Sequence, residues 1–422
     1  MVQICATIMS MIRVLVTGIG ALCPIGNSFN ESWESAKSGL SGISEITKFD
    51  TSNSKWKVGG EIKGFDPKVY LSRKEINRLD PFIQYSVAAA IMAIEDAGLT
   101  SPLLKGVLNS GGVIIGSSRG GISTLEKSIL INHQSSLMSH TPHISAYLMT
   151  STTISMASSY VAQKIGIHGY CLGISNACAS GANSIGEAYR LIKSGYKGPV
   201  LCGGAEAPLC RICVEGYGKS GALSKVKDMT ASRPFDITRD GFVLSEGACI
   251  LVLENYETAI KRGAKIYGEI IGYGNTTDAF HETRPSPNGE AEAMRMAIQE
   301  AGLHPEDIDY INAHAPSTPL GDKTETDAIK IVFNEKAKNI PVNSIKSMTG
   351  HMLSASGALE VAFTLMSMKE GLLTPIINLR EPDPECNLNL VKKTKEAKIN
   401  FAISNSFGFG GVNAVLVLKH IS

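Results

Sequence analysis

The chain has 422 residues, enough for a large hydrophobic core and two domain-sized halves. Apolar residues make up 43% and charged residues 19%, a balance typical of a globular protein. The net charge of +1 favours neither nucleic acid nor a membrane surface as a partner, and no apolar run is as long as a membrane span.

Strand-like and helix-like segments alternate along the chain. A first strand is predicted over Arg13–Gly18 with a break at Gly18-Ile19-Gly20, and a helix over Pro81–Gly98 ends at a glycine. Further strands are predicted from short apolar runs at Gly112–Gly116, Pro199–Gly204, Ala248–Leu253, Lys265–Gly274, Asp309–Ala313, Phe401–Ser404 and Asn413–Leu418. This alternation predicts an α/β architecture with mainly parallel strand pairing.

Two helical segments of the chain resemble each other. Ala179-Ser180-Gly181-Ala182 opens one that ends at Gly195, and Ala355-Ser356-Gly357-Ala358 opens one of equal length that ends at Gly371. Such self-similarity indicates a duplicated α/β unit. The second half is expected to begin near Lys265, which divides the chain into residues 12–262 and 265–422.

No cofactor or metal is predicted. Gly18 and Gly20 fit part of a dinucleotide-binding turn, but Cys23 occupies the place of its third glycine. Cys210 and Cys213 form a lone C-x-x-C without the second ligand pair of a zinc site, so they are interpreted as buried thiols in a pocket wall. The nine cysteines have no disulfide-framework spacing and predict reduced thiols in a cytoplasmic protein. The first residues lack the features of a secretory signal and are interpreted as a short extension.

Three short motifs hold the residues that we expect to carry chemistry. Cys178, in Asn-Ala-Cys-Ala-Ser-Gly, precedes a predicted helix whose free N–H groups would stabilise a thiolate. His314 follows a predicted strand, at the end where α/β proteins build their sites. His351 ends the motif Lys-Ser-Met-Thr-Gly-His, ahead of another helix. Each alone is also typical of an inert cysteine or a structural histidine, but together they indicate an enzyme that forms carbon–carbon bonds between thioesters.

The Cys-His-His set, with these flanking residues in this order, resembles the elongating β-ketoacyl-acyl carrier protein synthases from about Val14 to Leu418. The resemblance implies a thiolase-like fold, with two related halves in five layers, α/β/α/β/α. It also implies that Cys178 accepts an acyl group from acyl carrier protein. A malonyl thioester then loses carbon dioxide while His314 and His351, as neutral imidazoles, hydrogen-bond the enolate oxygen. Each such preorganised donor is typically worth about 3–4 kcal/mol.

The same resemblance implies supporting residues. The backbone N–H groups of Cys178 and Phe409 would hold the tetrahedral oxyanion, and Phe409 lies in a glycine-rich loop that resembles the family's gate. Lys346 and Glu360 would form a buried pair that orders the site. Further matches are the substrate-binding positions Thr283, Thr318, Tyr217 and Asn413, and the basic residues Arg73, Lys74 and Arg78, which would bind acidic carrier protein but alone indicate only a solvated face.

Three departures from the family pattern bear on the pathway. Ala315-Pro316 replaces the usual Gly-Thr, Val412 replaces a threonine, and Tyr217 stands where many fatty-acid enzymes have phenylalanine. These departures, with the motifs 205–208 and 382–386, favour the ketosynthase subunit of a type II polyketide synthase. The motif 317–322 and Thr349-Gly350-His351 favour the alternative, fatty-acid elongation.

Other classes of the same fold fit the sequence less well. A thiolase would need a second cysteine in the C-terminal glycine-rich loop, which carries Phe407 and Phe409 instead. Initiating condensing enzymes use Cys-His-Asn, which His351 does not match, and non-catalytic chain-length factors lack a nucleophile such as Cys178. The resemblance predicts acyl carrier protein as a partner. It also predicts a dimer, either of two copies or with a homologous chain-length factor.

Overall fold

The computed structural model describes residues 12–139 and 144–421, so the predicted N-terminal extension lies outside the described residues. Its strands are β1 Val14–Leu22, β2 Ser44–Glu45, β3 Val58–Gly59, β4 Gly112–Gly116, β5 Cys171–Ile174, β6 Val200–Glu206, β7 Gly247–Asn255, β8 Gly268–Thr277, β9 Tyr310–Asn312, β10 Pro341–Asn343, β11 Leu372–Leu373, β12 Asn389–Leu390, β13 Lys395–Glu396, β14 Phe401–Gly408 and β15 Val412–Lys419.

The helices alternate with these strands. They are α1 Phe29–Lys37, α2 Arg73–Arg78, α3 Pro81–Asp96, α4 Lys105–Asn109, α5 Ile122–Ser139, α6 Leu148–Thr152, α7 Met156–Ile165, α8 Ser180–Lys193, α9 Arg211–Lys219, α10 Tyr256–Lys261, α11 Pro287–Glu300, α12 Pro319–Phe333, α13 Lys346–Thr349 and α14 Ser354–Glu370. Within the described residues, no helix is both long enough and apolar enough to cross a membrane.

Eleven of the strands form one sheet in the order β12-β10-β9-β14-β15-β8-β1-β7-β6-β4-β5. Neighbouring strands at both ends of the sheet pair in parallel. The pairings in the centre, from β14 across to β6, are antiparallel. The prediction of mainly parallel pairing is therefore wrong for the centre. For β14 and β15 the antiparallel pairing follows from the short connection between them, a turn through Gly410 and Gly411. Parallel neighbours would need a long crossover connection instead.

Strand β1 continues through Gly18 and Gly20, so the predicted break at this point is wrong. A Cβ atom at Gly18 or Gly20 would overlap the backbone oxygens of Ala93 and Ala89 on α3. The two glycines thus serve the close packing of a helix on a strand rather than a turn. The other predicted strands, and the helix predicted at Pro81, agree with the structure to within a few residues.

The helices pack on both faces of the sheet. Helices α3 and α7 cover the strands β1, β7, β6, β4 and β5 on one outer side, and α11 covers β8 and β15 on the other. Helices α8 and α14 lie between the two halves of the sheet and contact strands of both. The arrangement is the predicted α/β/α/β/α, with a hydrophobic core on each side of each half-sheet.

The two repeated segments become the two central helices. Gly181 of α8 faces the backbone of Ser354, and a Cβ atom at Gly357 of α14 would lie 3.2 Å from the backbone nitrogen of Ala182. Small residues at corresponding places therefore let α8 and α14 approach closely. This contact places the segment before α8 and the first turns of α14 beside each other, where the candidate site lies.

Candidate active site

Cys178, His314 and His351 line one cavity of ≈ 370 Å³. Cys178 precedes α8, His314 follows β9, and His351 lies between α13 and α14. The structure thus brings together three residues that are up to 173 positions apart in the chain. The cavity is also lined by the predicted residues Tyr217, Thr283, Thr318, Phe409 and Asn413.

The turn before α8 holds Cys178 in a constrained position. Ala177 has a φ of 46°, in the left-handed region that costs a residue with a side chain about 1–3 kcal/mol. Hydrogen bonds compensate, because the hydroxyls of Ser118 and Ser180 each donate to the Ala177 carbonyl at 2.6 Å. Strain retained at this point is consistent with a functional position.

The thiol form of Cys178 is favoured in the free site. Burial raises the pKa of Cys178 to about 12, and the nearby Glu206 carboxyl adds to this rise. The positive charges of Lys346 and Arg119 and a hydrogen bond from the Phe409 N–H lower the pKa but do not offset burial. Burial therefore opposes the thiolate stabilisation that was predicted from the helix start, at a Cys178 side chain that remains partly accessible.

His351 contacts the nucleophile directly. Its Nε2 lies 3.1 Å from the Cys178 Sγ, and its Nδ1 lies 3.3 Å from the Ser356 Oγ. Ser356 Oγ accepts from the Met352 N–H at 2.9 Å, and its own proton is free to be donated to Nδ1. In the tautomer in which Ser356 donates to Nδ1, the ring carries its proton on Nε2, facing the cavity. Burial, followed by the charge of Lys346, lowers the pKa of His351 well below its ordinary value, so the ring is neutral at neutral pH.

His314 lies against His351, with ring centroids 5.2 Å apart and ring planes at 82°. Burial, the Lys346 charge and His351 lower the pKa of His314 well below its ordinary value. Its Nδ1 has no hydrogen-bond partner among the described residues. Two neutral imidazoles therefore face the same cavity as the thiol.

Glu325 is a site residue that the sequence interpretation missed. Its carboxylate accepts from the backbone N–H groups of His314 at 2.9 Å and Ala315 at 2.7 Å, and from Asn405 at 2.9 Å. The turn that contains His314 is thereby attached to α12, which carries Glu325, and through Asn405 to β14. The signal in the sequence was a carboxylate in the helix that follows the histidine motif directly.

Lys346 and Glu360 form a fully buried ion pair. The Lys346 Nζ also donates to the backbone oxygen of His314, so the pair supports the turn that holds His314. Burial raises the pKa of Glu360 to about 7, and the Lys346 charge opposes this rise. The pair that the resemblance implied is thus present, beneath the cavity floor.

The glycine-rich loop closes over the nucleophile. A Cβ atom at Gly408 would lie 3.1 Å from the backbone nitrogen of Cys178, which leaves room for no other residue without a shift. Gly410 and Gly411 have φ values of 88° and 68°, in the region that favours glycine. The loop therefore places the backbone of Phe409 against Cys178.

The predicted substrate-binding residues differ in whether their side chains already have hydrogen-bond partners. Thr283 is exposed at the cavity, whereas the Thr318 hydroxyl caps α12 by accepting from the Gly321 N–H at 3.1 Å. The Asn413 side chain donates to Asp278 at 2.7 Å. Thr283 is thus the freest of the three to bind a substrate arm.

The predicted basic residues lie on α2 and do not line the cavity. Arg73 and Lys74 are exposed. Arg78 instead donates to the Tyr160 hydroxyl, and its guanidinium carbon lies 5.1 Å from the Tyr147 ring centroid. Arg78 is therefore less available to a partner than its two neighbours.

The wall beside Tyr217 contains the C-x-x-C. Cys210 and Cys213 are both free thiols, buried in the apolar cluster against which Tyr217 packs. Their burial matches the interpretation as buried thiols, but among the described residues neither cysteine lines the cavity itself.

Comparison with known proteins identifies the family. The model of the beta-ketoacyl synthase N-terminal domain matches residues 11–259, and that of the C-terminal domain matches residues 267–380. The chain belongs to the beta-ketoacyl synthase family. As a member of that family it is an acyltransferase.

Similar curated proteins are named 3-oxoacyl-[acyl-carrier-protein] synthase 2. The one from Staphylococcus aureus strain MRSA252 is 43% identical over 412 residues, which cover 97% of this chain and 98% of that protein. The one from Synechocystis is 44% identical over 413 residues, covering 96% and 98%.

Similar solved structures include polyketide enzymes. The ishigamide ketosynthase/chain length factor is 34% identical with a TM-score of 0.89, covering 97% of this chain and all of that chain. A type II polyketide ketosynthase in complex with its acyl-carrier protein is 33% identical with a TM-score of 0.88, at the same coverage. A beta-ketoacyl synthase from Burkholderia phymatum is 32% identical with a TM-score of 0.90, covering 98% and 100%.

Proposed function

We propose that the enzyme condenses an acyl group on Cys178 with malonyl-acyl carrier protein, with loss of carbon dioxide, as the ketosynthase subunit of a type II polyketide synthase. The observation that carries the proposal is the Cys178 thiol beside two neutral imidazoles in one cavity. A thiol is the acceptor that acyl transfer needs, and neutral imidazoles are donors for an enolate.

In the first half-reaction, the Cys178 sulfur attacks the thioester carbonyl of acyl-acyl carrier protein. A new carbon–sulfur bond forms, the old one breaks, and the carrier's phosphopantetheine thiol leaves with the proton that Cys178 gives up. The backbone N–H groups of Cys178 and Phe409 would stabilise the tetrahedral oxyanion. Thr283, Thr318 and Asn413 line the cavity and would contact the phosphopantetheine arm.

In the second half-reaction, malonyl-acyl carrier protein loses carbon dioxide from its carboxylate and becomes an enolate. His314 and His351 donate to the enolate oxygen, and the ion pair of Lys346 and Glu360 positions them. The enolate carbon attacks the acyl carbonyl, and the β-ketoacyl product remains on the carrier. The Cys178 sulfur leaves and regains a proton from water.

Fatty-acid elongation is the second candidate. It is supported by the higher identity to the 3-oxoacyl-[acyl-carrier-protein] synthase 2 proteins. The polyketide pathway is supported by the similarity to polyketide ketosynthase structures and by the polar side chain of Tyr217 in the cavity. A saturated fatty chain would gain nothing from that hydroxyl.

The partners and organisation of the enzyme are also proposals. We propose acyl carrier protein as the donor of both substrates, with Arg73, Lys74 and Arg78 in its docking surface. We propose a dimer with a homologous chain-length factor, or of two copies if the pathway is fatty-acid elongation. The halves 12–262 and 265–422 and a cytoplasmic location remain predictions from the sequence.

The experiment is reconstitution of the purified chain with malonyl-acyl carrier protein and acyl carrier proteins loaded with candidate acyl groups. Mass spectrometry of the carrier reports the β-ketoacyl product. Formation of that product with wild type but not with Cys178→Ala supports the reaction. A requirement for a cysteine-less homologue supports the polyketide pathway, whereas full activity of the chain alone on long saturated acyl groups supports fatty-acid elongation.

A further inference from the structure

An arginine outside the catalytic set contacts Tyr217, a residue of the cavity lining. Arg119 follows β4 and donates from its Nε to the Tyr217 hydroxyl at 2.7 Å. Its guanidinium carbon lies 5.1 Å from the Tyr217 ring centroid. Tyr217 itself lines the cavity together with Cys178.

The pair is close to the reacting centre. The Arg119 charge lowers the pKa of Cys178, and the Tyr217 ring centroid lies 6.4 Å from that of Phe409. The residue before Arg119 also contacts the nucleophile's turn, since the Ser118 hydroxyl donates to the Ala177 carbonyl. Arg119 itself does not line the cavity, so an acyl chain on Cys178 that extends toward Tyr217 would reach the Arg119 guanidinium at the Tyr217 hydroxyl to which it is bonded.

Arg119 keeps unused hydrogen-bonding capacity. Among the described residues, its two terminal nitrogens have no hydrogen-bond partner, and it forms no salt bridge with an acid. One acid that affects its pKa is Glu206, a buried carboxyl whose own pKa is raised by burial to about 7. Glu206 accepts from the Ser118 backbone instead. Arg119 is exposed, so its terminal N–H groups are accessible to a ligand.

This arrangement discriminates between acyl chains. A saturated chain laid along Arg119 and Tyr217 displaces their water without replacing its hydrogen bonds, which is unfavourable. A chain with an acceptor oxygen restores those bonds, and a guanidinium presents several donors in a fixed fork that suits such an oxygen.

We propose that Arg119 and Tyr217 form a specificity site for acyl groups that carry a hydrogen-bond-accepting oxygen beyond the thioester, either a ketone or a carboxylate. The inference rests on the proposed function, because it takes Cys178 as the acyl acceptor. It adds the chemical class of the acyl group and the residues that select it.

The test compares three six-carbon acyl groups on acyl carrier protein: hexanoyl, 3-oxohexanoyl and hexanedioyl. The rate of Cys178 acylation is measured by mass spectrometry of the peptide that contains it. Wild type is expected to load at least one oxygen-bearing group roughly tenfold to a hundredfold faster than hexanoyl, as expected for a hydrogen bond to a charged donor. Preference for hexanedioyl alone identifies an anionic chain, and preference for 3-oxohexanoyl identifies a ketone.

Variants of Arg119 and Tyr217 test whether these two residues cause the preference for oxygen-bearing acyl groups. Arg119→Met should lose the preference, measured as the ratio of loading rates, because loss of the Arg119 charge also raises the pKa of Cys178 and slows all three groups alike. Arg119→Lys should restore part of it, and Tyr217→Phe should weaken it. Arg295→Met, which removes a half-exposed charge far along the chain on α11, is the matched control and should leave the ratio unchanged.

Failure of the inference differs from failure of the proposed function. If no group acylates Cys178, the proposed function is wrong. If all three groups load at similar rates, and Arg119→Met leaves their ratio unchanged, the reaction stands and the specificity site is refuted.

Discussion

Removal of the Lys346 charge should destabilise the protein strongly, and removal of both partners of the pair should not. Lys346 and Glu360 are both fully buried and contact each other. Lys346→Met keeps most of the side-chain volume but leaves the Glu360 carboxylate buried without its counter-charge. Breaking a buried pair in this way typically costs about 3–5 kcal/mol, whereas replacing both ions with neutral groups is often nearly neutral.

The loss of stability in Lys346→Met should be larger at high pH than at low pH. Burial already raises the pKa of Glu360 from 4.5 to about 7, and loss of the opposing Lys346 charge raises it further. For an acid whose pKa is raised by folding, the penalty is absent below the unfolded pKa and grows as the pH rises toward the folded pKa. Folded wild type also keeps Glu360 protonated below about pH 7, so both proteins lose stability in parallel up to that pH. The free-energy difference between Lys346→Met and wild type should therefore grow mainly above about pH 7, by up to about 1.4 kcal/mol per pH unit, and be larger at pH 8 than at pH 5.

The assay is urea unfolding of wild type, Lys346→Met and Lys346→Met/Glu360→Gln at both pH values. The double variant should recover most of the lost free energy of unfolding and show little added pH dependence, although its catalysis stays impaired because the bond from Lys346 to the His314 carbonyl is absent. A single variant as stable as wild type, or a double variant no better than the single one, would refute the reasoning.

Three further predictions concern individual residues. Cys178→Ala should abolish acylation, measured as the mass of the peptide around position 178, and persistent acylation elsewhere would contradict the assignment. His351→Ala should still be acylated at Cys178 but should release at least about a hundredfold less carbon dioxide from malonyl-acyl carrier protein; normal decarboxylation would contradict its role. Glu290 is 1% exposed at the cavity, and burial raises its pKa well above 4.5. The stability cost of this buried carboxyl grows as the pH rises above the pKa of the unfolded chain, so Glu290→Gln should raise the melting temperature more at pH 8 than at pH 5. The exposed Glu292→Gln on the same helix is its control, and equal shifts would argue against a buried neutral carboxyl.

The sequence by itself was sufficient for the reaction class and most of the elements. Cys178, His314 and His351 each lie in a short motif whose residues are contiguous, so the chemistry was visible without contacts. Strands such as Gly112–Gly116 and the helix at Pro81 followed from apolar periodicity, which is a local property of the chain. The repeat around Gly181 and Gly357 likewise indicated a duplicated unit before any packing was known.

Only the tertiary structure decided features that depend on long-range contacts. Gly18 was predicted to break a strand, because a local pattern does not reveal that a helix packs directly against it. The burial that raises the pKa of Cys178, and the bonds from Glu325 to the turn of His314, come from elements far apart in the chain. The hydrogen bond between Arg119 and Tyr217 joins residues 98 positions apart. Burial and pairing of this kind arise when separate segments meet, so no local pattern in the sequence encodes them.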